Sequence, residues 1–225
     1  MDLPVWQTLH AEMQDKGFSV LAVAMDASVE AARPWIEAAK PDYPCLIDRD
    51  HHVAELYNMV NVPQAAWIDE AGRMVRPPET AGAYEGFRRM DRSTFTVPEE
   101  AVATTAKARQ MYYAALRDWV DKGPSSRFVY DADKARSRVQ PPKPEIALAH
   151  AYFRLGQALA RRGEQSQAEA AFAKAKELHP DSWNMWRQTA PVDQRGLATG
   201  PAFWARVDAL GDKRYYAKVD IEGMP

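Results

Sequence analysis

The first part of the chain alternates between helical periodicity and short apolar runs. Residues 3–16 place apolar side chains at helical spacing and stop at Gly17, whereas residues 18–25 (FSVLAVAM) form an almost unbroken apolar run. Such a run is typical of a strand that is buried on both faces of a sheet. A second helix is predicted over 29–40, with Ser28 as its N-cap. This order of elements predicts an α/β arrangement.

Three further apolar runs follow, and a helix-like stretch separates the first two. The runs are 43–47, 65–68 and one that begins at Met74. Gly72 lies between the last two runs and predicts a hairpin turn. Pro63 precedes the second run, and because proline has no amide hydrogen for a strand ladder, we expect it at the entrance of that strand.

The stretch over 43–72 contains, in order, Tyr43-Pro44, Leu46, Asp48, Ala54, Tyr57, Val60, Val62-Pro63, Ile68-Asp69 and Gly72. These positions match the pattern FP-x-L-x-D … A … Y-x-V-x-x-VP-x-x-x-x-ID-x-x-G. The segment therefore resembles the second half of a thioredoxin fold, in the redoxin branch that includes the TlpA- and ResA-type thiol-disulfide oxidoreductases. The resemblance implies that Pro63 is the family's cis-proline, beside a groove where Val62 offers its main chain to an extended partner peptide. A role for Pro63 in shaping the turn alone is the alternative.

The start of the chain extends the resemblance but lacks the family's catalytic motif. The matching positions are Leu3-Pro4, Leu9, Gly17-Phe18, Val20-Leu21, Val23 and Asp26. In the family a central strand and a Trp-Cys-x-x-Cys motif precede this helix. Dithiol exchange requires a reactive thiolate and a second thiol, and Cys45 is the only cysteine in this sequence.

The thioredoxin-like sheet is therefore expected to be incomplete at its N-terminus. Three explanations are open. The sequence starts at an internal methionine of a longer protein; a partner chain or a swapped copy completes the sheet; or the remaining strands pair directly.

After this α/β segment the pattern becomes helical. The expected organisation is a thioredoxin-like domain over 1–83, a linker over 84–97 and an all-α domain over 98–212. Within the last, apolar spacing predicts a helix over 98–122. The charge and proline content of 125–144 predict a linker.

The stretch over 149–180 contains Tyr152, Leu155-Gly156, Leu159, Ala168, Phe172, Ala175 and Pro180. With these residues at these spacings, the stretch resembles a tetratricopeptide repeat. Gly156 is predicted where two helices cross closely, with Leu155 and Phe172 filling the seam. Such arrays usually need three or more repeats. Because no second copy is recognisable, the neighbouring helices are expected to pack around this hairpin.

Two further stretches have local signals. Pro77-Pro78 predicts the start of a loop that leaves the thioredoxin-like domain. The tail over 213–225 contains an alternating apolar and polar pattern at 215–221, which makes it a candidate edge strand.

Composition excludes several classes of function. With 29 basic and 31 acidic residues the formal net charge is -2, which favours neither nucleic acid nor an anionic membrane surface. No apolar run approaches the roughly 20 residues of a membrane span, so no membrane insertion is expected. No signal peptide is recognisable, which predicts a cytoplasmic protein; an extracytoplasmic location stays open if the N-terminus is incomplete.

The remaining polar candidates predict no cofactor and no metal site. Cys45 has no basic sequence neighbour to lower its pKa, so we expect an inert core thiol, with a redox-sensing or peroxidatic role as the alternative. His51-His52 has no ligand partner at zinc spacing and is predicted to lie in a solvated turn. His10 is predicted on the surface of the first helix.

Two functions follow from these features. The first is a redoxin-like, protein-binding module without the dithiol, using the groove at Val62 and Pro63 together with the helices. The second is the C-terminal part of a TlpA/ResA-type oxidoreductase whose Cys-x-x-Cys motif lies upstream. A one-cysteine peroxidase using Cys45 is a third idea. The sequence assigns no catalytic residue, so whether the chain is an enzyme stays open.

Overall fold

The structure is a computed structural model that describes residues 2–139 and 141–225. In chain order its elements are α1 (Leu3–Met13), β1 (Ala22–Ala24), α2 (Val29–Ala39), β2 (Cys45–Ile47), α3 (His52–Leu56), β3 (Gln64–Ile68), β4 (Met74–Thr80), α4 (Glu99–Lys122), α5 (Ala132–Arg138), α6 (Pro144–Arg161), α7 (Gln165–Leu178), α8 (Trp183–Thr189) and α9 (Pro201–Asp208). The α/β beginning and the helical remainder agree with the expected fold class.

Contacts within the chain define two compact units. The first contains the described residues as far as Val62 and those from Pro141 to Ala198, and the second contains 63–139 and 199–225. These units do not coincide with the domains expected over 1–83 and 98–212. Each unit combines one part of the α/β segment with one part of the helical segment.

The four strands of the described residues form two separate two-stranded sheets. In the first unit β1 and β2 are parallel, with Ala22 opposite Cys45 and Ala24 opposite Ile47. In the second unit β3 and β4 are antiparallel. Direct pairing of the remaining strands, one of the three explanations for an incomplete sheet, is therefore not what the structure contains.

The strand in the apolar run 18–25 is shorter and more exposed than its sequence predicts. Val23 is the register partner of Leu46, so these side chains share one face of the sheet with Leu21, two residues before Val23. Leu21 is 59% exposed and Leu46 is 53% exposed. The prediction of a strand buried on both faces is thus wrong.

The helical hairpin of the first unit is formed by α6 and α7. Its core contains Ala149 and Phe153 of α6 with Ala175 of α7. A Cβ atom added at Gly156 would lie 2.6 Å from the Phe172 ring, which confirms the predicted close crossing. Leu155, however, is largely exposed, so its predicted place in the seam is wrong. Phe153 fills the seam instead, because Ala149, Phe153 and Gly156 follow the i, i+4, i+7 spacing of one helix face.

The hairpin of β3 and β4 confirms two local predictions. Gly72 occupies the turn with a φ of +74°. Pro63 directly precedes β3, and its carbonyl accepts a hydrogen bond from the Ala81 amide at 3.1 Å. The proline thus lies at the strand entrance, where the ladder requires no amide hydrogen from it.

The predicted loop at Pro77-Pro78 is wrong, since β4 continues through both prolines. Trp67 is paired with Arg76 and Ala65 with Glu79, so the register shifts between these two pairs. A bulge of this kind releases residues from the ladder and tolerates proline inside a strand.

The rest of the second unit packs around this hairpin. The helix predicted over 98–122 is confirmed by α4, but α5 lies inside the expected linker over 125–144. Asp131 starts α5 by accepting a hydrogen bond from the Lys134 amide at 2.7 Å. The candidate edge strand at 215–221 does not form. Instead, the Ala217 carbonyl accepts a hydrogen bond from the Thr80 hydroxyl at 3.2 Å.

Candidate functional site

The loop after β2 is organised by Asp48. Its carboxylate accepts hydrogen bonds from the amides of His52 at 2.7 Å and Ala54 at 3.1 Å, which caps α3. His51 immediately before α3 adopts a left-handed conformation with a φ of +56°. This local geometry turns His51 inward and leaves His52 exposed.

His51 lies against the ring of Phe153, with 4.7 Å between the ring centroids. It is 1% exposed, and neither ring nitrogen has a hydrogen bond within the described part of the chain. Burial lowers the pKa of His51 to about 4. The predicted solvated turn is therefore wrong for His51, because its position depends on a helix about a hundred residues further along the sequence.

Two histidines of the helical segment are also buried in this unit. His150 of α6 and His179 after α7 have ring centroids 6.1 Å apart. Burial lowers the pKa of His150 to about 4 and also lowers the pKa of His179. Among the residues the structure describes, no group of three or more histidine, cysteine or acidic side chains could hold a metal ion.

Polar contacts join the loop over 48–61 to the helices of the first unit. Arg154 of α6 forms an ion pair with Glu55. Further bonds run from Gln157 Nε2 to the Arg49 carbonyl (2.6 Å), from Asn184 Nδ2 to the Met59 carbonyl (2.8 Å) and from the Trp183 amide to the Val60 carbonyl (2.8 Å). The α/β part of this unit is thus held to its helices chiefly by hydrogen bonds and buried rings.

The two residues predicted to bind a partner differ in their surroundings. Val62 is 38% exposed, and its amide donates to the Asn61 side-chain oxygen at 2.9 Å. The Val62 carbonyl accepts no hydrogen bond from any described residue. Pro63 is half-buried, and its carbonyl is occupied by the strand pairing with Ala81. Of the main-chain groups at these positions, the Val62 carbonyl is the one left for a partner.

Cys45 is the candidate thiol, and its surroundings favour the protonated form. It is half-buried in β2, and burial raises its pKa. Its Sγ donates to the Tyr43 carbonyl at 3.8 Å. A nucleophilic cysteine requires the opposite, a lowered pKa that produces thiolate at neutral pH.

His10 was expected on the surface, but it is buried. It is 8% exposed and makes an edge-on contact with Tyr43, with ring centroids 5.7 Å apart. Tyr43 is itself buried and donates to the Leu3 carbonyl at 3.1 Å. The surface prediction is wrong because Tyr43, distant in sequence, covers this side of α1.

The outer edge of β1 is a feature that the sequence did not reveal. The Ala22 amide donates to the Pro44 carbonyl at 3.0 Å, and the Ala24 carbonyl accepts from the Asp48 amide at 2.8 Å. Because strand residues alternate, the amide and carbonyl of Val23 point away from β2. No other described strand pairs with β1 there, and at the C-terminal end of this edge the Met25 carbonyl accepts a hydrogen bond from Gln188 Nε2 at 3.4 Å. This edge lies beside the exposed apolar face that contains Leu21.

Comparison with known proteins supports the redoxin resemblance of the first segment. Residues 2–77 match the AhpC/TSA family, which supports a thioredoxin-like redoxin segment at the start of the chain. No curated protein and no solved structure matches the chain. Among the described helices, none has the length and apolar character required to cross a membrane.

Proposed function

We propose that this chain is a redoxin-like protein without the dithiol, and that it binds an extended protein segment. The observation that carries the proposal is the outer edge of β1 at Val23, where no described strand pairs and the main chain of Val23 points away from β2. An extended segment adds to such an edge through main-chain hydrogen bonds, and the neighbouring apolar face supplies contacts for alternate side chains.

The sequence around this edge supports strand addition. Native proteins usually protect an exposed edge with lysine, proline or a bulge. Residues 18–25 contain no charged residue and no proline, and Leu21 is largely exposed. An unprotected apolar edge of this kind favours pairing with another strand, which is what a partner chain or a swapped copy completing the sheet would supply.

Val62 and Pro63 are proposed as a further contact for the partner. The exposed Val62 side chain and its carbonyl offer one apolar and one hydrogen-bonding group. The tetratricopeptide-like hairpin of α6 and α7 is proposed as a second element for protein binding. No residue is assigned a catalytic role, and the raised pKa of Cys45 supports an inert thiol.

A second candidate function is that of a TlpA/ResA-type thiol-disulfide oxidoreductase of which this chain is the C-terminal part. The match to the AhpC/TSA family and the unpaired outer edge of β1 both favour it. In that protein the strand before the Cys-x-x-Cys motif would occupy the open edge. The two candidates differ in location as well, since a cytoplasmic location is proposed for the first and an extracytoplasmic one for the second.

The first experiment tests strand addition. Unstructured nine-residue peptides displayed on phage are selected on the full chain, and binding of the enriched peptides is compared across variants. Leu21→Lys places a charge on the exposed face beside the edge and is expected to abolish binding. Leu56→Lys is the matched control, because Leu56 is 66% exposed on α3 of the same unit. Failure to enrich any peptide, or equal loss in both variants, would contradict the proposal.

The second experiment separates the candidates. Insulin reduction with dithiothreitol is measured for the chain and for Cys45→Ser. Equal, background-level rates are expected for a module without the dithiol. A gene product with an upstream Cys-x-x-Cys motif that reduces insulin would establish the oxidoreductase instead.

A further inference from the structure

The outer face of α6 is apolar along most of its length. The exposed residues between 147 and 160 are all apolar: Ala147, Leu148, Ala151, Leu155 and Ala160. Leu148 and Leu155 are each 47% exposed. The one charged residue in this stretch, Arg154, is partly buried and paired with Glu55 of the same unit.

The other helix of the hairpin does not share this character. The exposed residues of α7 include the polar side chains of Gln165, Ser166, Gln167, Glu169 and Glu177. Both helices bury an inner face in the hairpin, but only α6 also has an apolar outer face. A solvated helix normally carries polar residues on its outer face, and an exposed apolar stripe marks an interaction surface.

We propose that this face of α6 is a dimer interface, in which α6 packs antiparallel against α6 of a second copy of the chain. Leu148, Tyr152, Leu155 and Leu159 are spaced by four, three and four residues. This is the spacing of a coiled-coil seam. Leu148 and Leu155 are exposed, Leu159 is half-buried, and Tyr152 is half-buried against the core of the hairpin. Ala151 and Ala158 lie beside the seam, and small residues there allow a close approach of the two helices.

The stripe is self-complementary about a two-fold axis between residues 153 and 154. Around this axis Leu148 faces Leu159 of the second copy, and Tyr152 faces Leu155. The same axis places Glu145 opposite Arg162 of the second copy, so opposite charges meet at both ends of the helix pair. Because a two-fold interface uses the same patch twice, this match of charge and apolar layers favours a second copy as the occupant.

The expected interface is small. An 18-residue helix is about 27 Å long, and one helix pair of this length buries less than the roughly 1,600 Å² of a standard stable interface. We therefore expect a dissociation constant on the order of micromolar. This value sets the concentration range of the experiment.

The first experiment is sedimentation equilibrium of the full chain from about 1 to 200 µM, which brackets a micromolar dissociation constant. The wild type is expected to change from monomer to dimer over this range. Leu155→Glu is expected to raise the dissociation constant by more than about 30-fold, since it places charge in the centre of the seam. Ala173→Glu, at an exposed position of α7, is the control and should leave dimerisation unchanged. A wild type that stays monomeric throughout would overturn the proposal.

Charge exchange tests the orientation. Glu145→Arg or Arg162→Glu alone is expected to weaken the dimer about 10-fold, because each creates two like-charge contacts. The double variant should restore wild-type affinity. In a Cys45→Ser background, Leu148→Cys and Leu159→Cys chains should form a disulfide when mixed but not separately. Efficient crosslinking of Leu148→Cys alone would overturn the antiparallel arrangement.

A last variant separates this interface from strand addition at β1. Leu21→Lys is expected to leave the dissociation constant of the α6 dimer unchanged, whether or not it abolishes peptide binding. If Leu21→Lys dissociated the dimer and Leu155→Glu did not, dimerisation would occur through β1 and the α6 interface would be wrong. Circular dichroism of each variant establishes that it retains its helical content.

Discussion

The buried histidines of the first unit and the buried Arg76 of the second unit differ in how their side chains are paired. The first unit contains four buried histidines, and neither ring nitrogen of His51 has a hydrogen bond within the described chain. The second unit contains Arg76, which is 1% exposed and fully paired. Its guanidinium forms an ion pair with Glu79 and donates to the carbonyls of Phe128 at 2.7 Å and Asp220 at 2.8 Å.

Aromatic rings complete the surroundings of Arg76. Its guanidinium carbon lies 5.3 Å from the centre of the Trp67 ring and 4.9 Å from that of Tyr130. Trp67 in turn donates to the Tyr112 hydroxyl at 3.0 Å. The buried charge therefore connects β4, the segment before α5 and the C-terminal tail within one unit.

This difference determines how each unit responds to its environment. A guanidinium stays charged over the whole physiological pH range, so its bonds are insensitive to pH. A buried imidazole is neutral at pH 7 and resists protonation. Lowering the pH therefore reduces the stability of the unit that contains it. We therefore expect the stability of the second unit to depend on the permanent charge of Arg76, and the stability of the first unit to depend on histidines that stay neutral.

The largest effect is expected from Arg76→Ala in the second unit. The substitution leaves Glu79 and two carbonyls without their buried partner, which typically costs about 3–5 kcal/mol of unfolding free energy. This loss of unfolding free energy is measured by hydrogen exchange of peptides covering 74–80 at increasing urea concentration. Arg73→Ala is the control, because Arg73 is exposed in its pair with Asp69. Equal effects of the two substitutions would contradict the role of Arg76.

The second effect is loss of stability of the first unit in acid. The pKa of His51 and that of His150 are lowered to about 4, from 6.5 in the unfolded chain. Between these values the unfolded state takes up protons that the folded state does not, so stability is full above pH 6.5 and falls as the pH drops towards 4. From pH 7.5 to 5 the loss is on the order of 2 kcal/mol for each histidine.

The groups that face these histidines set the sign of the effect. Asp48, Asp50 and Glu55 favour protonation, whereas Arg154 and the neighbouring histidine oppose it, and burial outweighs both. Hydrogen exchange at pH 7.5 and 5 should therefore show loss of protection over 146–178 before 74–80. His150→Gln should reduce this pH dependence. Simultaneous loss of hydrogen-exchange protection in both units would contradict the buried histidines of the first unit as the cause of the pH dependence.

A third prediction concerns the close crossing of α6 and α7. Replacing a glycine by alanine inside a helix usually stabilises it by up to about 1 kcal/mol. At Gly156 the opposite sign is expected, with a loss of about 1–3 kcal/mol, because the new methyl group meets the Phe172 ring. Thermal unfolding measures the change. Phe172→Leu should offset it in the double variant, and a stabilising Gly156→Ala would disprove the close packing.

The smallest effect is expected at Cys45. Serine retains a donor for the Tyr43 carbonyl, so Cys45→Ser should change the unfolding free energy by about 0.5 kcal/mol or less. The native thiol should react with iodoacetamide at least about 10-fold more slowly than free cysteine at pH 7.5, because its pKa is raised. Rapid alkylation would reopen the peroxidatic alternative.

Local rules predicted the features that a few consecutive residues decide. Ser28 caps α2 by accepting from the Ala31 amide at 3.2 Å, and Gly72 makes the hairpin turn. The bounds of α4 follow from apolar spacing and from the proline and glycine beside its ends. The match over 2–77 supports the redoxin resemblance, which rested on the order and spacing of short motifs.

The errors share a different physical cause. The sequence predicts a loop at Pro77-Pro78 because it does not show the bulge between β3 and β4. It predicts an exposed His10 because it does not show that Tyr43 covers this side chain. Whether Leu155 or Phe153 enters the seam of the hairpin depends on how α7 is oriented. These positions are decided by residues far away in the sequence.

The sequence by itself thus determined most of the elements, several of their ends and the redoxin resemblance of the first segment, because hydrogen bonding and steric preference act within a few residues. Only the tertiary structure decided which polar groups are buried, which edge of β1 stays open and which face of α6 stays apolar and exposed. Burial depends on every surface that packs against a side chain, and those surfaces come from parts of the chain that local patterns do not connect.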